Sequence, residues 1–244
     1  MDMSLELYKQ IREDAHPTEI TLCGRQYATR NITPVEEPTP DSFKVTTLTG
    51  LVDYLKANVD KLNIEELICH VQSPTSVSVF SALHGNFKQR SYYIRAAFER
   101  EKAPFNKFLP ADKFNVFLQS GFIEMPCQID GELKPTGKGI LLKYVGNIKS
   151  EVVSNLGDDG VSQEITIRAS AARNENVILP NPVVLRPYRT FNEVEQPASS
   201  FVFRAQSGPE FALHEADNGA WEGEAMKNIK NFLEFEVPGL TVIA

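Results

Sequence analysis

The stretch from Phe87 to Lys113 holds the residue types with the most specific chemistry in this chain. Lys88, Arg90, Arg95, Arg100, Lys102, Lys107 and Lys113 stand there against Glu99, Glu101 and Asp112, a local excess of +4 in a chain of net charge -7. Phe87, Tyr92, Tyr93, Phe98, Phe105 and Phe108 are interleaved with them. Cationic side chains track phosphates and aromatic faces stack on unpaired bases, so the pattern suits single-stranded nucleic acid. The residues that would form such a surface are Lys88, Arg90, Tyr92, Arg95, Lys102 and Lys107. Strand alternation divides them: Lys88, Arg90 and Tyr92 fall on one face, Tyr93 and Arg95 on the other. A solvated strand edge with its aromatics turned to the core accounts for the same residues without a ligand.

Other constellations point to less. Pro135-Thr136-Gly137-Lys138-Gly139 suggests a phosphate loop. Such a loop needs four residues between its glycines and a hydroxyl after the lysine. Here five residues separate Gly131 from Gly137 and Gly139 replaces the hydroxyl, so a helix start capped by Thr136 is the simpler reading. Asp158 and Asp159 offer clustered carboxylates to a hard cation, but their flanking glycines read as a turn. His214, Glu215 and Asp217 do not converge on a strand, because 214 points away from 215 and 217. There is no HExxH, no GxSxG and no CxxC. No catalytic residue, metal ligand or cofactor is assigned, and the chain is expected not to be an enzyme.

Two further surfaces suggest partners. From Phe191 to Ala244, nine acidic residues face only Arg204, Lys227 and Lys230, a surface suited to a basic partner or to imitating nucleic acid. Leu141, Val145, Ile148 and Val152 form a 4-3-4 stripe over a helix expected at 140–156. That stripe is either core packing or a self-association seam.

These residues need elements to hold them. Leu5, Tyr8 and Ile11 share the face of a helix at 4–14, capped by Ser4. Gly24-Arg25 joins two short strands, and the proline-rich 32–41 stretch is an extended connector. Thr49 would cap a helix carrying Leu48, Leu51, Val52, Leu55, Val59 and Leu62. Strands at 67–71, 76–83 and 90–97 follow as an antiparallel meander, then a helix capped by Asp112. Glu124 to Gly139 reads as a linker, giving subdomains 1–125 and 140–244 around 126–139. Val183 to Leu185, bracketed by Pro182 and Pro187, reads as a short or edge strand. Phe201/Phe203 and Phe211/Leu213 alternate across a hairpin. Trp221, Ala225, Ile229 and Leu233 then mark a closing helix, and 240–243 a last strand. The expected fold is α+β: a helix-covered antiparallel meander, then a β-rich sandwich-like unit bracketed by helices.

PNPVVLRPYRTFNEVEQP, FVFR and ALHEADNGAW, together with GDDGVSQEITIR and TLTGLVDYLKANVD, resemble the YfdQ-like family of phage and prophage proteins over residues 43–244. The resemblance implies a phage or prophage origin and a bacterial cytoplasm; it carries no activity or catalytic residues.

Composition agrees with a cytoplasmic protein. The chain is 42% apolar and 23% charged, with no membrane-length apolar run and no signal-peptide pattern at Met1 to Ser4. Cys23, Cys69 and Cys127 are too scattered for a disulfide framework or zinc site. The first functional expectation is a non-enzymatic, homo-oligomeric phage accessory protein that binds or sequesters a host or phage protein or small ligand, with counter-defence as a role. The alternative is a nucleic-acid-binding accessory of phage replication or recombination.

Overall fold

In a computed structural model of the chain, the described residues are 4–15, 19–22, 25–28, 40–85, 88–124, 127–129, 132–134, 137–148, 153–158, 163–167, 181–206 and 210–244. They form two compact units, Met1–Pro40 and Asp41–Ala244, rather than halves divided at 126–139. The fold is α+β.

The first unit holds helix α1 (Leu5–Ala15) and an antiparallel hairpin of β1 (Glu19–Leu22) and β2 (Arg25–Ala28). Ser4 Oγ accepts from Leu7 N–H at 3.3 Å, as a cap should. Of the connector expected at 32–41, residues 32–39 lie outside the described residues.

The second unit runs β3 (Phe43–Val45), α2 (Leu48–Ala57), β4 (Leu67–Ser73), β5 (Ser76–Ser81), β6 (Tyr92–Ala97), β7 (Leu109–Pro110), α3 (Ala111–Gly121) and β8 (Phe122–Ile123). It continues through β9 (Cys127–Ile129), β10 (Glu132–Lys134), α4 (Gly137–Ile148), β11 (Val153–Asp158), β12 (Gln163–Ile167) and β13 (Val183–Pro187). It ends with β14 (Ser199–Gln206), β15 (Glu210–Glu215), α5 (Ala220–Glu236) and β16 (Thr241–Ile243).

Sheet I has the order β16-β4-β5-β6-β3. Its centre is the expected antiparallel meander, but both edge strands pair in parallel and come from remote parts of the chain. Helices α2 and α5 lie on one face. Leu48, Leu51, Leu55, Ile229 and Leu233 meet Leu67, Cys69, Val71, Val77, Val79, Ile94 and Val242 in one core. At about 1.5–3 kcal/mol for each large apolar side chain buried, this core is the main force holding sheet I to its helices. The cap of α2 is Thr47, not Thr49: Thr47 Oγ1 accepts from Gly50 N–H at 3.1 Å. Thr49 N–H instead donates to Glu193 Oε1 at 3.1 Å. Asp112 likewise falls inside α3, whose N-cap is Pro110.

Sheet II has the order β7-β15-β14-β13-β8. Strand β13 is not an edge. Val183 to Leu185 pair with β14, while Arg186 and Pro187 pair with β8, so its prolines stand at or just before its ends and cost little pairing. Helices α3 and α4 cover the sheet. Phe114, Phe122, Leu141, Tyr144, Val145, Phe201, Phe203 and Phe211 form the second core. The helix expected at 140–156 spans Gly137–Ile148, and Val153–Asp158 is a strand paired with β12. Apolar spacing cannot separate a long helix from a helix followed by a strand when the next apolar residues are β-branched. At the start of α4, a Cβ on Gly137 would meet Val183 Cγ2 at 2.6 Å and Val184 O at 2.7 Å. Glycine there lets the helix touch β13.

One loop, residues 188–197, ties the sheets together. Phe191 and Val194 enter the first core, and Thr190 Oγ1 donates to Pro74 O in the β4–β5 turn. Buried Gln196 accepts from Arg189 N–H and Thr190 N–H and donates to Phe191 O at 2.8 Å. Arg189 reaches the other way, donating to Glu215 Oε1 at 2.6 Å and to Ser199 Oγ.

Candidate nucleic-acid interface

The face of sheet I opposite α2 and α5, which no described helix covers, is set by one irregularity. Val79 pairs with Ile94, but its neighbour Phe80 pairs with Tyr92, so Tyr93 is an extra residue in β6. A bulge of this kind shifts alternation by one. Tyr93, Ile94 and Ala96 therefore pack on the core side, while Tyr92 and Arg95 are exposed on the other. The expected split, with Arg95 on the face opposite Arg90 and Tyr92, is corrected by this bulge.

The face is built in rows. Ile243, His70, Ser78, Arg95 and Lys44 are successive partners across the strands. The next row is Thr241, Ile68, Phe80 and Tyr92. None of these residues is acidic. The nearest carboxylates in sequence are Glu65 and Glu66, in the 3-10 turn before β4 and beside Ser81 and Thr241, and exposed Asp41, two residues before β3. The acidic residues of α2 and α5 belong to elements on the opposite side of the sheet.

Three rings follow one another on this face. Phe80 and Tyr92 have centroids 5.2 Å apart at 50°, and His70 meets Phe80 edge-on at 6.5 Å. Tyr92 is 53% exposed, whereas Phe80 is 8% exposed. The Arg90 guanidinium lies over Phe80, 5.0 Å from its centroid, and Nη1 donates to Ser81 O at 3.0 Å. Arg95 Nε donates to Ser76 Oγ at 3.3 Å, and Gln72 Oε1 accepts from both Ser76 Oγ and Ser78 Oγ. These bonds hold Arg95 over the sheet while leaving its side chain exposed. Exposed Lys88 stands in the β5–β6 connection with φ 55. Aromatic rings flanked by fixed cations are the groups from which a base-stacking surface with phosphate contacts can be built.

Of the six residues named from the sequence, Arg90, Tyr92 and Arg95 share this face, with Lys88 in its connecting loop. Lys102 and Lys107 lie elsewhere, beyond the end of β6. Lys44, His70 and Phe80 were not among the residues expected. The alternation of β4 and β5 does mark His70 and Phe80 as outward-facing. Lys44 arrives by a parallel pairing that no local pattern reveals.

Lys102 lines a separate cleft of about 1010 Å³ with Phe98, Arg100, Tyr188, Arg189 and Trp221. Arg189 is nearly buried, and its guanidinium lies 4.0 Å from the centroid of the Trp221 ring. Burial lowers its pKa, while Glu215, Asp217 and Glu222 oppose the shift. Glu215 is thus an ion-pair partner, and His214 packs edge-on against Phe108.

The remaining candidates have structural places. Lys138 Nζ donates to Phe122 O at 2.7 Å and Gln119 O at 3.2 Å, fastening α4 to the end of α3. Leu141 and Val145 are fully buried in the second core, which corrects their assignment to a self-association seam. The Ile148 side chain and Val152 lie outside the described residues, as do Gly131, Thr136 and Asp159. Asp158 pairs with Gln163 at the end of β11. Among the described residues, no group of three or more His, Cys, Asp or Glu could hold a metal ion. No helix among them is long and apolar enough to cross a membrane.

No protein-family model matches the chain, and no curated protein or solved structure does.

Proposed function

We propose that this protein binds single-stranded nucleic acid on the face of sheet I opposite α2 and α5, as an accessory of phage replication or recombination. The observation that carries the reading is the bulge at Tyr93, which places Arg95 beside Tyr92, Phe80, Arg90 and Lys44. A face of rings and cations without carboxylates among them fits bases stacked on Tyr92 and His70 and phosphates at Arg95 and Lys44. The phage setting comes from the sequence resemblance. The first expectation, an oligomeric sequestering protein, draws on the acidic C-terminal stretch and has no comparable site geometry behind it.

The test is fluorescence anisotropy with a labelled oligothymidylate and a duplex of the same length. Four cations, Lys44, Lys88, Arg90 and Arg95, at about 0.7 per phosphate contact give a salt slope near -2.8 in log–log form. Affinity should then fall about fifty-fold between about 50 and 200 mM salt. Tyr92→Ala should weaken binding by roughly five- to a hundred-fold with the slope unchanged. Tyr93→Ala, on the core side, should lower stability instead. Equal affinity for duplex, or no binding at low salt, refutes the proposal.

A further inference from the structure

Arg90 occupies the space that a stacked base would use. Of the three rings on this face, Tyr92 is open and His70 is half-buried, while Phe80 is capped by a guanidinium 5.0 Å from its centroid. The cap is an exposed side chain held to Ser81 O by a 3.0 Å hydrogen bond, so it lies at the surface and can move without disturbing a core.

We infer that Arg90 is a self-stacked cover on a central platform, Phe80, and that a base displaces it. The inference rests on the nucleic-acid reading of this face. An exposed cation–π contact is worth about two- to five-fold in an equilibrium. A base on an aromatic ring is worth about five- to a hundred-fold. The base therefore wins the ring, and the guanidinium, whose planar fork suits phosphate oxygens, turns to the backbone of the same strand. Arg90 has two opposed effects on affinity: it competes with the base for Phe80 and supplies a phosphate contact. Only the second is screened by salt.

That opposition makes the test specific. Binding of a labelled oligothymidylate is measured for the full-length protein and Arg90→Ala over a salt series extrapolated to 1 M, with thermal melting to confirm folding. Arg90→Ala should have a slope shallower by about 0.7. At 1 M, where phosphate contacts contribute little, it should bind about two- to five-fold tighter than the parent. The two lines should cross between roughly 0.1 and 0.4 M salt. Phe80→Leu, which keeps an apolar side chain in place, should abolish the gain from Arg90→Ala. If Arg90→Ala binds more weakly at every salt concentration, or its gain persists with Phe80→Leu, Arg90 is not a cover and the inference falls while the nucleic-acid reading stands. If the parent protein binds no oligothymidylate, both fall together.

Discussion

Arg189→Met should be among the most damaging single substitutions in this chain. The arginine side chain is 7% exposed and Glu215 34%. Methionine removes the 2.6 Å ion pair with Glu215 and the hydrogen bond to Ser199. Breaking a buried pair by deleting one partner costs about 3–5 kcal/mol. Glu215 is open enough to regain water, which places the loss toward the lower end. Methionine fills much of the same volume, and its sulfur contact with Trp221 returns about 1 kcal/mol. The net expectation is a loss of about 2–3 kcal/mol. Urea unfolding followed by fluorescence reads this directly, because Trp221 is the chain's one tryptophan and stacks on Arg189. Far-UV circular dichroism should give the same midpoint. A double-mutant cycle with Glu215→Gln should show coupling above about 1 kcal/mol, beyond the usual range of an exposed pair. A loss below 1 kcal/mol, or coupling near zero, would mean that the guanidinium is not desolvated and the reasoning is wrong.

Two further outcomes follow from the cores. Burial pushes the Cys69 thiol up to about 12 from 9.0, so the fold favours the neutral form; that contribution is intact below pH 9 and disappears as pH rises toward 12. The parent should lose about 2 kcal/mol between pH 8 and about 10.5 beyond what Cys69→Ala loses, measured by urea midpoints; equal losses would show that the site is wet. Gly137→Ala places a methyl against Val184 O and Val183 and should cost about 1–3 kcal/mol by overpacking; an unchanged melting temperature would mean that α4 shifts freely.

The sequence makes the repeating parts of this fold legible and leaves the exceptions hidden. Alternation locates the β14–β15 hairpin and the β4–β6 meander because one side of each strand is buried. The 3.6-residue stripe places α2 and α5. The Tyr93 bulge is hidden, since either residue of the Tyr92-Tyr93 pair suits either face and the local pattern does not show which one is extra. Arg95 was therefore assigned to the wrong side. The end of α4 is hidden for a related reason: apolar spacing runs on into β11. The edge pairings of β3 and β16 are parallel and span long stretches of chain, so no local signal announces them. Arg189 carries no motif, and its importance comes from the rings of Phe105, Phe201 and Trp221 and the carboxylate of Glu215, supplied by other segments.

The two sheets are also made in a particular order. Sheet II is drawn from residues 109 to 215, and all of it lies between β6 and α5 of sheet I. A chain emerging from a ribosome can close the β13–β14–β15 sheet and its helices before Ile229, Leu233 and Val242 exist. Sheet I must wait, with the inner surface of β4–β6 unfilled by α5 and β4 lacking its parallel neighbour. During that interval Cys69, Val71 and Val79 are the residues most open to wrong partners. From the synthesis of residue 97 until that of residue 243, the β4–β6 meander therefore stands without its second helix and its parallel edge strand.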